Sequence, residues 1–83
     1  SADLRLGKLL IEEKKWAPAA AALESALAKG GIDDVATAQL LLGIARFEQG
    51  DMRAARTALE KAAASDKTRA EAREWLEEVD ARQ

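Results

Sequence analysis

Apolar residues recur at intervals of three and four along most of the chain, which is the spacing of an α-helix with one buried face. The pattern predicts five helices. Four of them span about 3–13, 16–29, 52–64 and 69–82, and the third runs from a cap at Asp33 or Asp34 to a turn at Gly50. No segment alternates with a period of two, so we expect no strand.

The boundaries of these helices carry residues suited to helix ends. Pro18 falls in the first turn of the second helix, where its missing N–H costs nothing. Gly30 and Gly31 end that helix, because glycine adopts the left-handed conformation that closes helices. Thr68 and Glu71 have the spacing of a capping box, in which each side chain bonds the other residue's backbone N–H.

An internal repeat with an offset of 36 residues links the two halves of the chain. Leu6-Gly7 recurs as Leu42-Gly43. The same offset pairs Trp16 with Met52, Ala19 with Ala55, Leu23 with Leu59, Glu24 with Glu60, and Ala26 with Ala62. Because one register holds through two helices, we infer that a helix–turn–helix unit is duplicated.

Composition limits the chemistry that the 83 residues can perform. The chain has no cysteine and no histidine, which excludes disulfides, cysteine zinc sites and the commonest general base near neutral pH. Its serines therefore lack an activating histidine, and the abundant carboxylates are typical of solvated helix faces and caps. We expect a protein that is not an enzyme and that uses no cofactor or metal.

Charge and hydropathy also restrict the partners. The formal net charge of −2 argues against a nucleic-acid-binding surface, since such surfaces are strongly basic. No apolar run approaches the roughly 20 residues of a membrane-spanning helix, so we expect no membrane insertion. Charge and hydropathy thus exclude two partner classes without naming the partner.

The second unit, residues 36–69, resembles a tetratricopeptide (TPR) repeat. Leu42-Gly43 matches the Leu-Gly of that pattern, Gly50-Asp51 matches its turn, and a small-large-small series follows. That series is formed by Ala55, Leu59 and Ala62. The unit departs from the pattern at Lys67, where proline is usual, and at Arg46, where an aromatic residue is usual. In the first unit, Lys14 replaces the glycine of the turn.

The resemblance implies an all-α fold, a short right-handed α-solenoid of two antiparallel helical hairpins and one terminal helix. It implies one TPR domain over residues 1–83. Repeat 1 covers about 1–33, repeat 2 about 36–69, and a capping helix about 69–82. Each hairpin then buries its apolar face against the next one along the stack.

TPR arrays resembling this one bind a peptide or helix in the concave groove lined by the first helices of each hairpin. The resemblance maps a candidate groove onto one set of residues. They are Leu4, Lys8, Ile11, Leu40, Ile44, Phe47, Glu48, Glu74 and Glu78. Since these positions are mostly apolar with an acidic flank, we hypothesise an apolar or mildly basic amphipathic ligand held by the helix-in-groove mode.

Three alternatives stay open at this point. The apolar groove residues are equally explained by packing against neighbouring helices. The chain is also consistent with a self-associating homodimer, or with the terminal repeats of a larger scaffold or enzyme. Its alanine-rich composition looks similar to bacterial TPR proteins, and we expect a bacterial cytoplasmic or periplasmic protein.

Overall fold

The computed structural model describes the backbone of residues 2–82 and the side chains of residues 4–82, which leaves Ser1 and Gln83 of the predicted domain outside the described residues. Five helices form, and the described part of the chain contains no strand. They are α1 (Ala2–Glu12), α2 (Trp16–Lys29), α3 (Val35–Glu48), α4 (Met52–Ala63) and α5 (Arg69–Arg82). The all-α prediction is confirmed, and the predicted helix ends agree to within one or two residues.

The helices pack in the order of the chain. Helix α1 packs against α2 to form hairpin 1, and α3 packs against α4 to form hairpin 2. Helix α3 also packs on α2, and α5 packs on α4, so each unit is laid on the one before it. The described residues extend 34 × 26 × 19 Å, which is a short solenoid. The prediction of stacked helical hairpins with a terminal helix is confirmed.

Two fully buried leucines occupy the centres of the hairpins. Leu23 of α2 and Leu59 of α4 lie opposite glycines of the facing helix. A Cβ atom on Gly7 would lie 2.5 Å from Cδ2 of Leu23, and one on Gly43 would lie 2.6 Å from Cδ2 of Leu59. Both distances are well below a normal contact. The repeated Leu-Gly is therefore required because the glycine leaves room for the leucine of the second helix.

The turns inside the two hairpins share one backbone conformation. Gly50 has a φ of 85°, and Lys14, which the repeat offset aligns with it, has a φ of 61°. Both angles lie in the left-handed region, where glycine is at ease and lysine is strained. The departure from the TPR pattern at Lys14 thus keeps the geometry of the turn at an energetic cost.

Helices α3 and α4 begin with aspartate caps. The side chain of Asp34 accepts hydrogen bonds from the N–H of Thr37 at 3.1 Å and from its hydroxyl at 2.7 Å. Asp51 accepts from the N–H of Ala54 at 3.1 Å. These bonds satisfy N–H groups of the first turn, which have no partner inside the helix. Of the two caps predicted for the third helix, Asp34 is the one used.

Lys67 connects two loops at the same end of the solenoid. Its Nζ donates to Oδ2 of Asp34 at 2.6 Å, which links the α4–α5 loop to the α2–α3 loop. The hydrogen bonds from Lys67 and then Thr37 lower the pKa of Asp34 from 3.8 to about 2. At the position where the TPR pattern has proline, this chain has a lysine that connects the α4–α5 loop to the α2–α3 loop.

The start of α5 differs from the predicted capping box. The buried hydroxyl of Thr68 donates to the carbonyl of Ala62 at 2.6 Å, and no hydrogen bond joins Thr68 to the side chain of Glu71 in the described part of the chain. Ala62 lies in the last turn of α4, where carbonyls have no partner inside the helix. Arg69 donates to the next carbonyl, that of Ala63, at 3.0 Å. The residues before α5 therefore close α4, because its end is buried under them.

Candidate protein-binding surfaces

A cleft lies between α3 and α5 on the side formed by the first helices of the repeats. Its volume is about 460 Å³. The cleft combines aromatic, acidic and one basic side chain. Its lining residues are Phe47, Glu48, Glu74, Trp75, Glu78 and Arg82. We call it the α3–α5 cleft.

Two aromatic rings form the wall of the α3–α5 cleft. Phe47 and Trp75 meet edge to face, with ring centroids 5.2 Å apart and an interplanar angle of 69°. Phe47 is 4% exposed and packs in the core between α3, α4 and α5, whereas Trp75 is half-buried and shows part of its surface. The guanidinium of Arg82 lies 4.6 Å from the centroid of the Phe47 ring, a cation–π contact.

The charge of the α3–α5 cleft is predominantly negative. Glu48, Glu74 and Glu78 are exposed, and within residues 4–82 none of them forms an ion pair. Arg82 supplies the single positive charge among the lining residues. Three carboxylates beside an aromatic surface give this part of the protein surface a negative potential.

The structure brings together four of the nine residues that the sequence places in a groove. Phe47, Glu48, Glu74 and Glu78 line the α3–α5 cleft. Ile44 is half-buried and packs against the same core cluster as Phe47. This end of the candidate groove therefore has a defined shape.

The other four predicted groove residues lie elsewhere. Leu40 is buried in the core beside Phe47, and Leu4 is buried in the core between the two hairpins. Both leave little surface for a partner. On α1, Ile11 is half-buried against the inter-hairpin core and Lys8 is exposed. On α1, therefore, only Lys8 and Ile11 of the predicted groove residues have side-chain surface accessible to a partner.

Arg82 was not among the residues selected from the sequence. Its cation–π contact depends on α5 folding back over the end of α3, and no local pattern signals that. Trp75 is not among the nine groove residues either. It packs against the core cluster that contains Phe47 and also lines the cleft.

A second and larger cleft lies between α2, α3 and α4. Its volume is about 570 Å³, and its floor includes Leu27, Leu42 and Ala58. Arg46 and Glu24 bridge its rim through an ion pair of 2.7 Å. The apolar pattern of the sequence does not predict this cleft, although an exposed series of polar side chains on α4 could have suggested it. That series consists of Arg53, Thr57 and Lys61.

The described residues contain neither a cluster suited to a metal ion nor a membrane-spanning helix. No group of three or more aspartate or glutamate side chains in this part of the chain could hold a metal ion. None of the five helices is long and apolar enough to cross a bilayer. The surface chemistry on the described part is thus that of clefts and exposed helix faces.

Comparison with protein families agrees with the stacked hairpins and the Leu-Gly pairs. The profile of the Tetratricopeptide repeat family matches residues 1–29 and 37–68. The chain belongs to the tetratricopeptide repeat family and contains two repeats. Repeats of this family are generally protein–protein interaction modules, which agrees with the expected partner class. No match was found among curated proteins or among solved structures.

Proposed function

We propose that this protein is an interaction module that binds an apolar, mildly basic amphipathic segment of a partner protein in its concave groove. The observation that carries this proposal is the α3–α5 cleft. It places three glutamates, which form no ion pair with any described side chain, beside the Phe47–Trp75 aromatic pair. We also propose that residues 1–83 act as one domain, with repeat 1 at about 1–33, repeat 2 at about 36–69 and a cap at about 69–82.

The apolar contribution to binding would come from the half-buried side chains of α1 and α3. Ile11, Leu41 and Ile44 each pack partly into the core and leave part of their surface accessible. An amphipathic helix buries its own apolar face on such a surface with anchors at i, i+3, i+4 and i+7. Burial of these side chains supplies the affinity, and the rim charges select the partner.

The acidic end of the groove would orient the ligand. A lysine or arginine one or two turns beyond the apolar anchors would reach Glu74 and Glu78 and stack against Trp75. Because the three glutamates are exposed, each contact is worth little alone, and the cluster acts mainly on association rate and partner choice. No covalent chemistry is required of any residue in this function.

A labelled amphipathic peptide of leucine and lysine provides the test probe. We expect it to bind, and we expect the same peptide with glutamate in place of lysine to bind at least several-fold more weakly. Fluorescence anisotropy at two salt concentrations measures both, since screening should weaken only the lysine peptide. Equal binding of the two peptides would refute the proposed ligand chemistry.

Two neighbouring charge reversals locate the site. Glu78→Lys changes a cleft residue, whereas Glu77→Lys makes the same charge change one position earlier, outside the α3–α5 cleft. Both side chains are exposed, so neither variant should unfold the protein. We expect Glu78→Lys to weaken binding at least about threefold more than Glu77→Lys. Equal effects would show that the peptide senses only net charge.

A further inference from the structure

One pattern on the first helix of each unit governs how the units stack. Helices α3 and α5 each carry three apolar residues on one face, which we call the stripe. The first residue is small, the second is a leucine four positions later, and the third is a small or branched residue three positions after the leucine. The stripe comprises Ala38, Leu42 and Ala45 in α3, and Ala72, Leu76 and Val79 in α5. In each case the stripe packs into the core shared with the preceding hairpin. It is the surface by which a unit attaches to its neighbour.

Helix α1 has the same stripe with nothing packed on it in the described part of the chain. The repeat offset aligns Leu6 with Leu42, and Leu9 with Ala45. Leu42 is 9% exposed and Ala45 is fully buried, whereas Leu6 is 47% and Leu9 is 50% exposed. The side chains used for attachment in hairpin 2 are thus presented to solvent in hairpin 1.

The adjoining edge of α2 is also unusually free of charge. Ala58 of α4 and Leu42 lie in the same core cluster, so the repeat places their equivalents, Ala22 of α2 and Leu6, on the same side of hairpin 1. Three positions that carry polar side chains on α4 carry small ones without charge on α2. Ala17 replaces Arg53, Ala21 replaces Thr57, and Ser25 replaces Lys61. We call Leu6, Leu9, Ala21 and Ala22 the outer face of hairpin 1.

The opposite end of the solenoid cannot receive this face from a second copy. Leu4 of α1 and Leu40 of α3 occupy equivalent positions in the repeat, and both are buried in the core shared with the next unit. Their equivalent on α5, one repeat further on, is Glu74. This exposed carboxylate would be desolvated there without compensation by an apolar stripe. Head-to-tail stacking of copies is therefore unfavourable, and between two copies the favourable contact is that of one outer face with the other.

The charges along the stripe favour one orientation of such a pair. Arg5 and Glu12 are exposed, lie seven residues apart on the same edge of the stripe, and have no ion-pair partner within residues 4–82. Seven residues are about two helical turns. When two α1 helices pack antiparallel about a two-fold axis, Arg5 of each copy faces Glu12 of the other. A parallel pair does not bring these two charges together.

We propose that the protein forms a two-fold symmetric homodimer through the outer face of hairpin 1. The two α1 helices pack antiparallel, Leu6 and Leu9 of both copies form the apolar centre, and Arg5–Glu12 contacts close one edge. A closed two-fold interface uses the same patch twice and stops at two copies. The α3–α5 cleft of each copy stays open, so the dimer presents two clefts. This inference does not depend on the proposed ligand.

Molar mass as a function of concentration tests the dimer. A pair of 11-residue helices buries less area than the ~1,200 Å² of a standard specific interface, so we expect a weak, concentration-dependent dimer. Sedimentation equilibrium from about 1 µM to about 1 mM should show the mass rising from 8.9 kDa toward twice that value. A single-chain mass at every concentration, or a mass that continues to rise beyond two copies, would overturn the proposal.

Leu6→Glu and Leu9→Glu test the apolar centre. Because both side chains are about half exposed, the variants should keep their helical circular dichroism and their thermal midpoint while remaining monomeric over the same range. Val35→Glu serves as the matched control, since Val35 is also 50% exposed but lies on α3, outside the outer face of hairpin 1, and the variant should leave the dimer intact. Unchanged dimerisation in both leucine variants contradicts the assigned face.

A charge-swap cycle tests the antiparallel orientation. Arg5→Glu and Glu12→Arg each place like charges opposite one another and should weaken the dimer several-fold. The double variant restores opposite charges and should dimerise nearly as well as the original chain. If the double variant does not regain the dimerisation of the original chain, the antiparallel pairing is contradicted. The double variant still carries one positive and one negative side chain at this edge, so only a different orientation of the helices would explain the loss.

Discussion

Gly43→Ala tests whether the Leu-Gly pairs set the spacing of the helices in each hairpin. The added methyl group would lie 2.6 Å from both Cγ and Cδ2 of Leu59 and 3.3 Å from its backbone nitrogen. Leu59 is fully buried, and Cγ is the branch point of its side chain rather than a flexible end. The clash can be relieved only by moving α3 and α4 apart or by forcing Leu59 off its rotamer.

Two opposing effects decide the size of the change. Overpacking a core costs about 1–3 kcal/mol, whereas glycine to alanine within a helix gains roughly 0.5–1 kcal/mol from reduced backbone entropy. The net expectation is a loss of about 1–2 kcal/mol in the free energy of unfolding. For a domain of this size that is a fall of about 4–8 °C in Tm per kcal/mol. Urea denaturation followed by circular dichroism at 222 nm measures the change.

A double-mutant cycle with Leu59→Ala isolates the contact. Truncation of Leu59 removes the atoms that clash, at its own cost of about 2–5 kcal/mol for the lost burial. In that background Gly43→Ala should change sign and stabilise the protein by up to about 1 kcal/mol, since only the helix preference remains. Adding sucrose to all four proteins equally keeps the weakest one folded for comparison.

The sign of the second step decides the argument. If Gly43→Ala destabilises the protein equally with and without the Leu59 side chain, the glycine is not there to admit the leucine. If Gly43→Ala stabilises the original protein, α3 and α4 leave enough space beside Leu59 for a methyl group, which contradicts the close contact described above. Gly7→Ala against Leu23 provides an independent repetition in hairpin 1, because the corresponding distance is 2.5 Å.

Three further expectations concern the turns and caps. Both Lys14 and Gly50 have positive φ, which glycine adopts without strain. Lys14→Gly should therefore stabilise the protein by about 1 kcal/mol in thermal unfolding, and Gly50→Ala should destabilise it. A loss of stability in Lys14→Gly would contradict this interpretation. Asp34→Ala should cost about 0.5–2 kcal/mol near neutral pH. The stabilisation by the Asp34 carboxylate is complete above its ordinary pKa of 3.8 and is lost as the pH falls toward about 2. The difference in unfolding free energy between the original protein and Asp34→Ala should therefore shrink over this pH range. A difference that stays constant with pH would exclude a role for the charge. Thr68→Val should cost about 0.5–1.5 kcal/mol by removing the hydroxyl bond to the Ala62 carbonyl, which keeps its bond from the Ser65 N–H, while Thr68→Ser should retain most of the stability.

The sequence predicts the helical elements well because their signals are local. Apolar spacing defined the five helices, and glycine, proline and aspartate marked their ends. The offset of 36 residues between Leu6-Gly7 and Leu42-Gly43 indicated the duplication without any tertiary information. The family match over residues 1–29 and 37–68 agrees with these patterns.

The sequence was less informative about which apolar residues of a helix stay accessible. Leu40 and Leu4 were assigned to the groove, yet both are buried, because each first helix is covered by neighbours on more than one side. Conversely, Leu6 and Leu42 occupy the same place in the repeat, yet Leu42 is buried against hairpin 1 whereas no described element covers Leu6. Repeat position alone cannot reveal that difference.

Helix content, the repeat and the partner class of this protein follow from the sequence itself, because periodicity, caps and family motifs are properties of neighbouring residues. Three features follow only from the tertiary structure: the cation–π contact of Arg82 with Phe47, the link from Lys67 to Asp34, and the exposed stripe at Leu6. Each of these features depends on which helices pack against one another, because contacts between residues distant in the sequence form only in the stacked arrangement.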